Sequence, residues 1–318
     1  MFLKVLFSVK KNLSMAITVS MLLGFIYGLI FSSNFLSNLI MPFTFLMIFP
    51  MMIDLDFMQL LNIKNYKLHI ITQIINFLII PIVAYGLGFL FFKDQNMLFL
   101  GLFLSALLPT SGMTITWTGF ANGNINASVI MTLIGLLLGS IATPFYIKFF
   151  MGTAVEFSLV IIFKQIFLVI FLPLILGQLT KYFLLKSFDK EKFNKNFIPK
   201  ISSVSILGVL GIVFVAIALK SKIIYMHPEL LIKIIVPVIL FYIINFMISF
   251  FAAKMFFDKY DGSALIYGSV MRNLSIALAI AMTTFGPNAG ISALIISVAF
   301  IIQVQFAAIS LKFVKKIL

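Results

Sequence analysis

Gly268-Ser269-Val270-Met271-Arg272-Asn273-Leu274-Ser275-Ile276-Ala277 holds the only arginine in 318 residues; the other 22 basic residues are lysines. The stretch lies inside an apolar run from Ala264 to Phe285, long enough to cross a bilayer. At about 1.5 Å per residue, Arg272 sits roughly 12 Å from the Ala264 end of a hydrocarbon core about 30 Å thick. A guanidinium stays charged at any cellular pH, and leaving one unpaired at that depth costs several kcal/mol. The nine carboxylates are Asp54, Asp56, Asp94, Glu156, Asp189, Glu191, Glu229, Asp258 and Asp261, all in loops or at span ends. Asp54 is the one that a fold-back would bring near the arginine.

Composition places the rest of the chain in the same setting. It is 62% hydrophobic and 10% charged, with a mean hydropathy of +1.19, as in polytopic membrane proteins. The formal charge of +14 comes from lysines. In such proteins lysines mark cytoplasmic loops and meet anionic lipid headgroups, so membrane lipid is an expected partner and nucleic acid is not. With no cysteine there is no disulfide, thiolate metal site or thiol chemistry. His69 and His227 each flank a span, which leaves no histidine cluster. No metal and no cofactor is expected. No acidic pair, HExxH pattern or Ser/His arrangement lies at depth, which argues against an enzyme. Lys4, Lys10 and Lys11 before the apolar run Met15–Phe31 look like a leader. The run is long for a leader core and many spans follow, so it reads as an uncleaved first span.

Apolar windows predict ten spans, at 14–32, 35–53, 68–92, 97–121, 125–147, 157–180, 201–219, 230–253, 263–285 and 289–311. An even number puts both termini on one side. Assigning that side to the cytoplasm gathers sixteen lysines there against five on the other, as the positive-inside rule requires. The longest polar connector, Lys186–Lys200, reads as a solvated cytoplasmic loop. A division near residue 155 leaves five spans in each half (1–155 and 156–318), and an odd number per half makes the second enter from the opposite side. The segments Thr118–Thr132 and Thr283–Ser297 echo each other: a span ending in Phe, a small polar turn, then a new span. Chance similarity of apolar segments is the alternative.

Span four reads Ser105-Ala106-Leu107-Leu108-Pro109-Thr110-Ser111-Gly112-Met113-Thr114-Ile115-Thr116-Trp117. Pro109 removes a backbone donor and Gly112 follows, so a break is expected at 109–112. Thr110, Ser111, Thr114 and Thr116 can serve the freed backbone groups or a solute; the alternative is a kinked helix whose hydroxyls bond their own carbonyls. Asn76 lies mid-span, five residues before Pro81, as a solute contact or as interhelical glue. Asn273 adjoins Arg272, and Ser275 shares its face. Lys164 is two turns from a span edge and can snorkel. A buried cation beside a broken, hydroxyl-rich helix suits an anionic or polar solute that supplies the missing acceptors. The alternative is an arginine that caps a broken helix end.

At Leu108–Trp117, at Met271–Ile280 and at Asn76 before Pro81, the chain resembles the bile acid:sodium symporter superfamily, and within it the arsenical-resistance permease branch. The resemblance spans nearly the whole length. It implies broken fourth and ninth spans crossing at mid-membrane to form the site, with a panel of helices rocking against a core. Arsenite permeases of this type carry a cysteine where this chain has Thr110 and a glutamate where it has Ser275, so sulfur ligation of arsenite is impossible here. The bile-acid branch carries two sodium ligands, a glutamate at Gly268 and a glutamine at Arg272, that this chain lacks. Hydroxyl partners match at Thr114, Ser128 and Thr132, and an asparagine is replaced by Ile115.

The expected protein is therefore an all-α, ten-span secondary transporter of the cytoplasmic membrane: a single domain of two inverted five-helix repeats with broken, crossing spans four and nine. Its expected solute is a small anion or polar oxyanion. Arg272 and Asn273 are the clamp; Ser275, Thr110, Ser111 and Thr114 are polar contacts; Asn76 is a third-helix contact and Trp117 a wall or gate. A proton or sodium is the candidate coupling ion, sodium being served by Thr114, Ser128 and Thr132. A sodium-coupled organic-anion symporter is the alternative within transport, and a non-transporting membrane scaffold the alternative outside it.

Overall fold

A computed structural model of the chain describes residues 13–57, 63, 65–152, 159–187, 193, 197–285 and 289–317. Among these residues all regular structure is helical. In chain order α1 is Leu13–Ile30, and α2 is Ile40–Asp54 led by a 3-10 turn, Asn34–Leu39. α3 runs Tyr66–Phe92 through a π turn at Ile75–Ile79. Then come α4 Asn96–Leu107, α5 Gly112–Phe120 and α6 Ile125–Met151. α7 is Leu159–Ser187, with a π turn at Phe167–Phe171. α8 is Ile198–Met226, α9 Glu229–Phe256, α10 Lys259–Val270, α11 Leu274–Phe285 and α12 Gly290–Ile317. By length and composition, seven of these (α2 with its 3-10 lead, α3, α6, α7, α8, α9 and α12) can cross a membrane. The chain is an integral membrane protein.

Prolines leave their mark in predictable places. Pro81 has no N–H, so the carbonyl four residues back, on Phe77, loses its helical partner. The hydroxyl of Tyr146 on α6 donates to that carbonyl instead. The backbone debt of one helix is thereby met by a side chain of another.

The helices sort into two groups. α1, α2, α7 and α8 pack on one another. Gly24 and Gly28 let α1 lie directly on α8: a Cβ at these positions would fall 2.5 Å from the Phe214 carbonyl oxygen and 2.2 Å from that of Ala218. The second group holds α3–α6 and α9–α12. The two groups meet where α11 touches α2, α7 and α8, where α12 touches α1 and α8, and where α6 touches α7. α4, α10 and α11 lie at the centre of the second group, with nearly every side chain buried. At the start of α10, Asp261 accepts from Asn124 Nδ2 at 2.8 Å and from Asn65 Nδ2, tying the beginnings of α3, α6 and α10 together.

The structure departs from the sequence expectations in extent. α8 continues past residue 219 through Lys220 and Lys222 to Met226. The long aliphatic stems of these lysines are compatible with a continuing helix, and that of Lys220 lies against Gly290 at the start of α12. Span four is interrupted at Leu108–Ser111, one residue earlier than expected. Lys4, Lys10 and Lys11, the division point near 155, most of the Lys186–Lys200 connector and residues 286–288 of the echo lie outside the described residues.

Candidate functional site

The two interruptions meet. Leu108–Ser111, between α4 and α5, runs antiparallel to Met271–Asn273, between α10 and α11, as an isolated bridge of Pro109 with Arg272. Thr110 N donates to Met271 O and Asn273 N to Leu108 O, each at 2.8 Å. Four helix ends therefore converge on one pair of backbone hydrogen bonds in the middle of the protein.

Local sequence explains the first break. Leu108 precedes proline, is biased away from helix and sits at φ −109°, ψ 86°. Thr110 has a φ of 64°, a left-handed conformation that a β-branched residue adopts at a cost of roughly 1–3 kcal/mol. Its hydroxyl donates to Pro109 O at 2.6 Å and reaches Met131 O on α6 at 3.3 Å. Ser111 caps α5: its Oγ accepts from Met113 N at 3.2 Å, and its own N–H donates to Thr114 Oγ1 at 3.1 Å. Both hydroxyl oxygens act as acceptors here, so their protons are available to a ligand.

The second break contains neither proline nor glycine and is shaped by other helices. The carbonyls at the end of α10 would be orphaned in an apolar surrounding. Asn76 Nδ2, from the π turn of α3, donates to Gly268 O at 2.9 Å. Asn245 Nδ2 on α9 donates to Ser269 O at 3.1 Å, and Ser269 Oγ returns a bond to Asn245 Oδ1 at 3.1 Å. Gln303 on α12 clasps the Arg272 peptide at both ends. Arg272 N donates to Gln303 Oε1 at 2.8 Å, and Gln303 Nε2 donates to Arg272 O at 3.2 Å. Tyr242 OH also donates to Gln303 Oε1, at 3.0 Å.

The guanidinium so placed is 0% exposed. Its Nη1 donates to Ala106 O, at the last turn of α4, at a long 3.3 Å. Nε and Nη2 are buried and have no hydrogen-bond partner among the described residues. No ion pair involves Arg272 among them. A cation opposite the carbonyl end of a helix is favourable, yet two of its donor groups remain unmatched.

The expected site residues separate into three sets. Arg272, Asn273 and Thr110 share the crossing, with Ser111 and Thr114 at the start of α5 beside it. Asn273 Oδ1 accepts from Ile276 N at 3.3 Å, capping α11, so Nδ2 is the donor it can offer a ligand. Ser275 is half-buried in the first turn of α11. Asn76 stands one turn back along α10 and binds backbone, with its Oδ1 buried and unpartnered among the described residues. Ser128 and Thr132 on α6 return their protons to Asn124 O at 3.0 Å and Ser128 O at 2.8 Å. Trp117 is half-buried and stacks on Tyr267, ring centroids 6.4 Å apart. The space at Gly268 is taken up by Met131, whose Sδ would lie 2.7 Å from a Cβ there.

Gln303, Asn245 and Tyr242 were missed in the sequence reading. The available signal was the one used for Asn76: an amide inside an apolar run. Polar groups at membrane depth are rare and carry a structural or functional load.

Two groups of helices pack around a crossing of interrupted helices in this multi-pass membrane protein, and the comparisons supply the class, a secondary transporter. The chain belongs to the sodium bile acid symporter family, whose model matches residues 41–227, more than half of the 318. It is 24% identical over 228 residues to the arsenical-resistance protein Acr3 of Corynebacterium glutamicum, covering 68% of this chain and 61% of that protein. It is 26% identical over 260 residues to the arsenical-resistance protein Acr3 of Alkaliphilus metalliredigens, covering 77% and 72%. To the uncharacterized sodium-dependent transporter YocS of Bacillus subtilis it is 27% identical over 286 residues, covering 89% and 85%. These matches place it in the bile acid:sodium symporter superfamily near the arsenical-resistance branch.

Proposed function

We propose that this transporter moves a small anion or polar oxyanion across the cytoplasmic membrane. The observation that carries the reading is the Arg272 guanidinium, wholly buried where four helix ends converge, with one backbone carbonyl as its partner. A fixed charge held this way favours a visiting anion over a resident counter-ion. Arg272 and Asn273 form the clamp, and Ser111 and Thr114 offer hydroxyl protons. Thr110 and Asn76 shape the crossing, Ser275 flanks it, and Trp117 forms a wall.

The architecture proposed with it is ten spans in two inverted repeats, 1–155 and 156–318, in a single domain with both termini cytoplasmic. The seven long helices, α1 and the two interrupted pairs support that number. The seams of α11 and α12 against α1, α2, α7 and α8 are where one group rocks on the other. No catalytic chemistry is assigned.

The test is uptake into proteoliposomes from a panel of small anions. Transport should depend on Arg272, and Arg272→Gln should reduce it at least tenfold while the protein stays folded. Unchanged transport by that variant removes the clamp.

A second reading, sodium coupling through Thr114, Ser128 and Thr132, is favoured by one observation. Ser128 and Thr132 donate their protons to backbone carbonyls one turn back, which leaves their oxygen lone pairs free to accept a cation. The fixed guanidinium and the missing carboxylate at Gly268 oppose it, so sodium at constant ionic strength should not raise the melting temperature. A sodium-specific rise would establish this reading in its place.

A further inference from the structure

The two unmatched donors of Arg272 belong to one edge of the guanidinium. Nε–H and the near N–H of Nη2 point in parallel, the arrangement that grips two oxygens of one planar group at once. Nη1, on the far side, is the nitrogen engaged with Ala106 O. The protein thus ties one side of the group and leaves its two-pronged side buried and unused. The backbone that carries the side chain is held by Gln303 at both the Arg272 N–H and its carbonyl, and the wholly buried guanidinium is tied at Nη1 by Ala106 O.

We infer that this edge binds a small monovalent oxyanion presenting two coplanar oxygens, the class that nitrate, formate and acetate represent. This rests on the anion-clamp reading and narrows it. A halide offers one acceptor centre, so the two parallel N–H groups reach it only through bent hydrogen bonds, weaker than the aligned pair that two oxygens accept. Tetrahedral dianions such as sulfate bring a second negative charge, and Arg272 is the one cation at the crossing among the described residues. A buried charge left over after pairing is strongly disfavoured, whereas a monoanion leaves the loaded crossing neutral. Asn273 Nδ2 is a further donor on the same interrupted segment, its Oδ1 being taken by Ile276 N.

The experiment measures binding to the purified wild-type protein by calorimetry and thermal shift. Potassium nitrate, formate, acetate, chloride and sulfate are compared at constant ionic strength, alongside Arg272→Lys and Arg272→Gln. Nitrate, formate and acetate should bind at least tenfold tighter than chloride or sulfate and should compete with one another. Arg272→Lys, which keeps the charge and loses the fork, should lose that tenfold preference. Chloride or sulfate binding as tightly as nitrate, or a preference that survives in Arg272→Lys, overturns the planar class. If that binding still vanishes in Arg272→Gln, the anion clamp itself stands. If no anion binds in an Arg272-dependent way, both fall. Should the lysine variant not fold, the wild-type series decides the class alone.

Discussion

The two interruptions share one antiparallel bridge and differ in how much of their support is local. The break at Pro109 is closed from within its own few residues, by a missing N–H, a left-handed Thr110 and a serine cap answered three residues on by Thr114. The break at Arg272 keeps one local cap, Asn273 Oδ1 accepting from Ile276 N, but the end of α10 and the Arg272 peptide are held from outside, by amides on α3, α9 and α12. A break made by its own residues keeps its shape as its neighbours move. One held by three other helices reports their positions, and that is the one carrying the charge. The comparison suggests that the first break is a fixed hinge point and the second the element that ligand and conformation act upon.

If the second break depends on remote side chains, removing them should cost more than removing a local cap. The largest effect is expected from Gln303→Leu, which strands the Arg272 N–H and carbonyl together with the Tyr242 hydroxyl. At about 1–3 kcal/mol per buried unpaired group, the loss should be roughly 3 kcal/mol or more, read as a fall in melting temperature. Asn245→Leu frees the Ser269 carbonyl and hydroxyl and should cost about 2 kcal/mol. Ser111→Ala should be the mildest, about 1 kcal/mol for a lost cap, because α5 keeps its other bonds. Hydrogen exchange sharpens the contrast: Gln303→Leu should raise exchange on both sides of the crossing, and Ser111→Ala only at the start of α5. The reverse order of losses would show that the first break, too, is held from afar.

This difference also decides what could be read from sequence. The first break was legible because Pro109, Thr110, Ser111 and Gly112 are contiguous and their conformational effects are local. The membrane class and most spans were legible because hydropathy is a local average. That Arg272 was special followed from its being alone in an apolar run. Its partners were not legible: Asn76 lies 192 residues from Gly268, and Gln303 31 from Arg272, and no local pattern encodes such pairings. In span four, Thr116 bonds a carbonyl of its own helix, the alternative weighed there, whereas the Ser111 and Thr114 oxygens accept from backbone N–H groups; Ser128 and Thr132 bond back along α6. The end of α8 was misjudged because lysines were taken to mark a loop, whereas long stems let a helix carry them past the apolar region.

The most direct measurement is an experimental structure of the protein in the presence and absence of nitrate, at a resolution that orients the Arg272 guanidinium. The account predicts density for the anion within hydrogen-bond distance of both Nε and Nη2, with Gln303 still clasping the Arg272 peptide. A guanidinium whose three nitrogens are all bonded to protein carbonyls or to a carboxylate, with nitrate present or absent, would contradict it.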